Sequence, residues 1–190
     1  KKIETMRSKI SILLLLILGI TVSCKNDKQA EGAAAEGTTA VNPNFNVELT
    51  LFASKIDDLA MYFIEDNTAE FNSDNVCWAT LDAQNQDTKV KFEIQEGRMP
   101  TRIRLDFGHR EQEDSVVVKN VKVNYLEKSF EIKGSEFFTY FNRDDQFKTR
   151  IDSVNGTLVV YKTAPEFKTP FFYSGDVLDK KIGELTGVVK

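Results

Sequence analysis

Histidine occurs once in the 190 residues, tryptophan once, cysteine twice and proline four times, and no stretch is dense in lysine or arginine. A single histidine excludes zinc motifs built on two of them. It also leaves any Ser-His-Asp arrangement one possible base, His109. No Gly-x-Ser-x-Gly turn is present, and neither cysteine sits in a catalytic motif. No Asp-x-Asp-x-Asp-Gly spacing points to a hard-cation loop. The formal charge of -4, with no basic cluster, argues against a nucleic-acid surface, which needs grouped cations to displace counterions from phosphates. On these grounds no catalytic residue, metal or cofactor is expected.

One long apolar run is present. Residues 10–22 contain Ile12-Leu13-Leu14-Leu15-Leu16-Ile17-Leu18, preceded by Arg7 and Lys9 and followed by the small residues Ser23 and Cys24. This order of charged, apolar and small-residue regions is that of an export signal, assigned to residues 1–23. The run of about 13 residues falls short of the roughly 20 that a helix needs to cross a bilayer core. Residues 1–23 carry four basic residues and one acid, so their removal takes the chain from -4 to -7. Such a chain is not drawn to anionic headgroups by charge.

Thr21-Val22-Ser23-Cys24 resembles a bacterial lipobox, departing from the commonest pattern at Thr21, where leucine is usual. The resemblance implies that Cys24 is acylated and becomes the first residue of an outer-membrane lipoprotein. Lys25, in place of an aspartate after the cysteine, disfavours inner-membrane retention in that pattern. Several acyl chains at about 0.8 kcal/mol per buried CH₂ would hold the chain stably. Which face of the membrane it occupies stays open, as does the alternative of an ordinary cleaved signal with an incidental cysteine. Acylation of Cys24 would leave Cys77 without an intramolecular partner, as a buried structural thiol.

Residues 24–44, rich in Ala, Gly, Glu, Thr and Asn, read as a lipidated cysteine and flexible tether, with a short Ala-rich helix as the competing reading. From Phe45 to Lys190 the pattern has period two, and this segment holds all 14 phenylalanines. Phe45–Leu51, Leu59–Ile64, Val76–Leu81, Val90–Ile94, Ile103–Phe107, Val116–Tyr125, Phe130–Ile132 and Thr157–Tyr161 read as strands, with a phase slip at Lys119-Asn120 that predicts a bulge. Short helices are expected at Ser135–Phe141 and Asp176–Leu185. The expected class is all-β, an antiparallel β-sandwich of jelly-roll type with one or two short helices, with a lipocalin-like β-barrel as the alternative.

Thr101-Arg102-Ile103-Arg104-Leu105-Asp106-Phe107-Gly108, then Val117 to Val123, and later Pro170-Phe171-Phe172-Tyr173 before a helix, resemble a jelly-roll module of bacterial envelope proteins. That module is similar to galactose-binding-like, carbohydrate-binding sandwiches. The resemblance implies a glycan partner; an envelope protein is the alternative partner. Sugar binding needs aromatic faces and a few polar groups, and the candidates are Trp78, Tyr62, Tyr125, Tyr140, Phe172 and Tyr173. Any of them can equally fill the core. His109 reads as a solvated turn residue; neighbours on a strand point to opposite faces, so neither Asp57-Asp58 nor Asp144-Asp145 makes a glycosidase pair by itself, and these acids read as solvated surface.

Overall fold

Alternating apolar residues pair into two packed antiparallel sheets in the computed structural model, which describes residues 42–66, 69–82, 85–163 and 167–188. The segments expected to be a signal and a tether, with Cys24, lie outside the described residues as far as residue 41. The strands are β1 (Asn46–Ala53), β2 (Asp57–Ile64), β3 (Val76–Leu81), β4 (Thr88–Glu93), β5 (Arg102–Asp106), β6 (Asp114–Tyr125), β7 (Lys128–Lys133), β8 (Thr149–Asp152), β9 (Thr157–Lys162) and β10 (Phe171–Tyr173). A 3₁₀ turn at Gly134–Glu136 leads into α1 (Phe137–Tyr140), and α2 (Asp176–Thr186) ends the fold. No helix among the described residues is long and apolar enough to cross a membrane.

The larger sheet runs β4-β1-β6-β9-β8, with β7 also on β6, and the smaller runs β10-β5-β2-β3. β1 pairs with β6 and β2 with β5, a nested order in which the first half of the chain folds back on the second. The expected bulge is present: Thr50 faces Asn120 while Leu51 faces Val118, leaving Lys119 unpaired with β1. It divides β6 into Asp114–Val118, which pairs with β9, and Asn120–Tyr125, which pairs with β7. The extra residue also resets the pleat, so that Val116 and Val118 before it and Val121 and Val123 after it are all buried.

The core lies between the sheets. Val47, Leu49 and Leu51 of the larger sheet meet Leu59, Met61, Ile103 and Leu105 of the smaller, each at most 1% exposed. At about 1.5–3 kcal/mol for each large apolar side chain removed from water, this layer is the main stabilising term. One end is filled by phenylalanine: Phe137 stacks on Phe141 at 4.3 Å and meets Phe172 edge-on at 5.5 Å. Leu178, Ile182 and Leu185 of α2 join the same core. Among the described residues no ladder joins the two sheets, and side chains fill the space between them. The fold is therefore a sandwich, and the lipocalin-like barrel is excluded.

Two short strands escaped the period-two pattern. β8 has four residues, and β10 lies in the run Phe171-Phe172-Tyr173, where both faces are aromatic and no alternation is visible. α1 is opened by Glu136, whose carboxylate accepts the Lys133 N–H at 3.4 Å, and Ser135 supplies no side-chain cap.

Asp57 is not solvated. It is 1% exposed, and its Oδ2 lies 2.6 Å from Nζ of Lys162, itself fully buried. The pair joins the first residue of β2 to the last of β9, one from each sheet. Lys162 also donates to the Arg110 carbonyl at 2.6 Å, and Asp57 Oδ1 accepts the Arg110 N–H at 2.9 Å. Gly108 passes directly over the pair with φ +87°, where a Cβ would collide with Asp57 Oδ2 and stand 2.8 Å from Lys162 Nζ. Only glycine combines that backbone with that clearance. Removing one member of a buried pair leaves an uncompensated charge, so Lys162→Ala should cost about 3–5 kcal/mol in urea unfolding. A loss under about 1 kcal/mol, the scale of an exposed pair, would show that the pair does not hold the sheets.

Candidate outer face of the four-stranded sheet

The alternation that buries Ile103, Leu105 and Phe107 turns Arg102, Arg104 and Asp106 to the opposite face of β5. Register then brings their neighbours alongside. Tyr173 of β10 and Tyr62 of β2 flank Arg104, and Phe171 and Ala60 flank Asp106, with Trp78 of β3 beyond Ala60. The outer face of the smaller sheet thus carries two rows, Tyr173–Arg104–Tyr62 and Phe171–Asp106–Ala60–Trp78.

The first row is rigid. The Arg104 guanidinium lies 4.1 Å from the Tyr62 ring centre, 5.0 Å from Phe171 and 5.8 Å from Tyr173. Its Nε and Nη2 donate to the two carboxylate oxygens of Asp106 at 2.7 and 2.8 Å. A bidentate fork among three rings has little freedom to reorient. Asp106 is 4% exposed; burial pushes its carboxyl above the usual carboxylate range, against the pull of Arg104 and His109.

The second row ends at a corner. Trp78 is 55% exposed, and its ring meets His109 edge-on with centroids 4.6 Å apart. The imidazole reaches across Ala60, which carries only a methyl group, and its Nε2 lies 3.7 Å from Asp106 Oδ2. That nitrogen is buried without a hydrogen-bond partner, while the side chain as a whole is 26% exposed. Burial holds His109 below the ordinary imidazole pKa of 6.5, opposed by Asp106 and Asp57. Its backbone N–H donates to the Asp58 carbonyl at 2.9 Å. Beside it Arg110 Nε donates to Asp58 at 3.0 Å and holds that carboxyl below its usual range.

Two depressions adjoin this face. One, of about 330 Å³, lies among Phe71, Arg102 and Tyr173. The other, of about 470 Å³, opens where the edges of β3 and β4 meet, with Trp78, Val76, Phe63 and Arg98 in its wall. Cys77 lines the second. It is half-buried, its thiol donates to the Glu93 carbonyl at 3.3 Å, and burial pushes its pKa up against the pull of Arg98, so it is a poor nucleophile. Among the described residues no group of three His, Cys, Asp or Glu is placed to hold a metal ion.

Of the six candidate aromatics, Trp78, Tyr62 and Tyr173 share this face. Phe172 does not: at 1% exposure it is core, since its neighbours Phe171 and Tyr173 take the outward positions. Tyr125 ends β6 in the other sheet and Tyr140 belongs to α1, and both pack against the core. His109 is a packed member of the corner, in contrast to the solvated turn residue expected. Arg104, Asp106 and Phe171 were absent from the candidates, although the Arg-x-Asp alternation on β5 already put the two charges on one outward face.

Fold and face together define a two-sheet β-sandwich with a rigid aromatic and arginine-rich outer surface. Compared with protein-family models, curated proteins and solved structures, the chain matches none.

Because an imidazolium quenches an adjacent indole and Trp78 is the sole tryptophan, its emission reports the protonation of His109. Acidification should quench it with a midpoint below 6.5, and the step should vanish in His109→Gln. The stability sign follows from linkage. The unfolded ring binds its proton near pH 6.5 and the folded ring only at lower pH, so this group's contribution is full above 6.5 and declines as the pH falls toward the folded value. A midpoint above 6.5 would contradict the burial described.

Proposed function

We propose that this chain is a non-catalytic, lipid-anchored protein of the outer membrane whose sandwich binds a glycan on the outer face of its four-stranded sheet. The attachment rests on the signal-like residues 1–23 and on Cys24, and the -7 charge of the remainder leaves acylation as the means of holding a membrane. The observation that carries the binding half is Trp78: a large aromatic, 55% exposed, fixed against His109 at the end of a face whose other rings are immobilised by Arg104. A pyranose presents an apolar C–H side to such a ring while its hydroxyls meet the polar groups beside it. A preordered platform loses little entropy on binding.

An accessory role in a protein assembly is the competing reading. A protein interface would gather apolar side chains into one patch. Among the described residues the other exposed large apolar side chains, Ile56, Leu126, Val154, Val177 and Val188, fall on separate turns and on or just after α2, which favours the glycan reading.

In cells, Cys24→Ala should abolish incorporation of labelled palmitate and release the chain from the membrane fraction; continued labelling would remove the anchor. In affinity gels containing soluble polysaccharides, the full chain should be retarded by at least one of them. Trp78→Ala should weaken that retardation about tenfold, the equivalent of about 1.4 kcal/mol. A stoichiometric protein partner with no glycan retardation would establish the accessory role instead.

A further inference from the structure

The four arginines on and around the outer face each lie against a carboxylate, three through hydrogen bonds and Arg102 through an ion pair whose buried Nε makes no hydrogen bond. Arg104 forks onto Asp106, and Arg110 Nε lies 3.0 Å from Asp58. Arg102 Nε lies 3.4 Å from the buried Asp179, and Arg98 Nε donates to Glu65 at 3.0 Å. Arg110, whose pair with Asp58 is exposed, keeps a guanidinium donor for an anion, but at the more buried arginines an anionic ligand could gain a cation only by breaking a pair. At Arg104 or Arg102 that would strand a carboxylate that is 4% exposed in each case, the costly outcome for a buried charge. A cationic ligand faces the mirror-image penalty at Asp106. At longer range the -7 charge of the chain without residues 1–23 repels polyanions.

An uncharged ligand breaks none of these pairs. The groups that can meet it include the exposed Trp78 ring, the exposed part of the His109 imidazole and, on the same face, the half-buried Tyr62. These suit a molecule with one apolar face and many hydroxyls, each able both to donate and to accept. We propose that the Trp78–His109 corner takes an uncharged saccharide in preference to an acidic one, with a sugar ring lying on the indole. This rests on the glycan reading above and adds the charge class of the ligand and the place where it sits. Charge selectivity arises because the face's own ion pairs, the Arg104–Asp106 fork above all, are too well satisfied to open.

The test uses the full chain in a detergent without a sugar headgroup. Cellohexaose, xylohexaose and mannohexaose are titrated against hexagalacturonate, followed by Trp78 emission and calorimetry. The expected result is saturable binding of at least one neutral hexasaccharide, at least about tenfold tighter than hexagalacturonate. Its affinity should hold from low to high salt, because no charge is exchanged. Trp78→Ala should weaken the neutral binding seen by calorimetry about tenfold. Asp58→Asn, which releases Arg110 beside the corner, should improve hexagalacturonate binding several-fold. Tighter binding of hexagalacturonate to the unaltered chain, or an affinity that collapses with salt, overturns the charge class but leaves the glycan reading standing. Neutral binding as tight in Trp78→Ala as in the unaltered chain overturns the location. No binding of any of the four removes the glycan reading and this inference together.

Discussion

The contact on which the outer face depends is the buried ion pair between Asp57 and Lys162. Two charges taken out of water are costly, and they persist only where their remaining hydrogen-bonding capacity is met. Here it is met locally. Asp57 Oδ1 accepts the backbone N–H groups of Asp58 and Arg110, and Lys162 gives a second hydrogen bond to the Arg110 carbonyl. Three chain segments are fastened at one point: the start of β2, the end of β9 and the loop after β5. The same point joins the sheets by charge; elsewhere they meet through side-chain packing and the hydrogen bond from the Cys77 thiol to the Glu93 carbonyl.

The consequence for the outer face is geometric. Gly108 lies against the pair, and the backbone of Arg110 is hydrogen-bonded to both of its members. His109, between them, is thereby directed onto the smaller sheet, where its ring meets Trp78 and faces Asp106. Asp106 is in turn half of the fork that locks Arg104 among Tyr62, Phe171 and Tyr173. Order at the surface is therefore inherited from a charge pair in the interior. A face held in this way can present aromatic rings without spending binding energy to arrange them.

Much of the fold could be read from short-range pattern. The strands with clean alternation, such as Val90–Ile94 and Ile103–Phe107, were legible because one face of each is buried. The bulge at Lys119 was legible because the buried valines change phase across it. Where both faces of a strand carry large apolar groups, the pattern is mute, and Phe172 could not be told from Phe171 and Tyr173. The ion pair was hidden for another reason: 105 residues separate its members, and nothing local marks an aspartate followed by another aspartate as buried. Without that pair in view, a histidine in the loop Gly108-His109-Arg110-Glu111 has every mark of a solvated turn. Arg104 and Asp106 could be placed on one face from spacing alone, but their mutual fork and the rings around it are products of the sheet register.

Amide hydrogen exchange at Arg110 tests this account most directly. The residue belongs to the most charged loop of the chain, and its side chain is 46% exposed. Its backbone N–H nevertheless donates to a carboxylate that is 1% exposed. If the pair governs the loop, that amide exchanges as slowly as those of the central strands, such as Val118 in β6, because both open only when the sheets part. Exchange at the rate of a free loop amide would mean that the loop moves independently of the pair, and that the corner formed by His109 and Trp78 is not held from within.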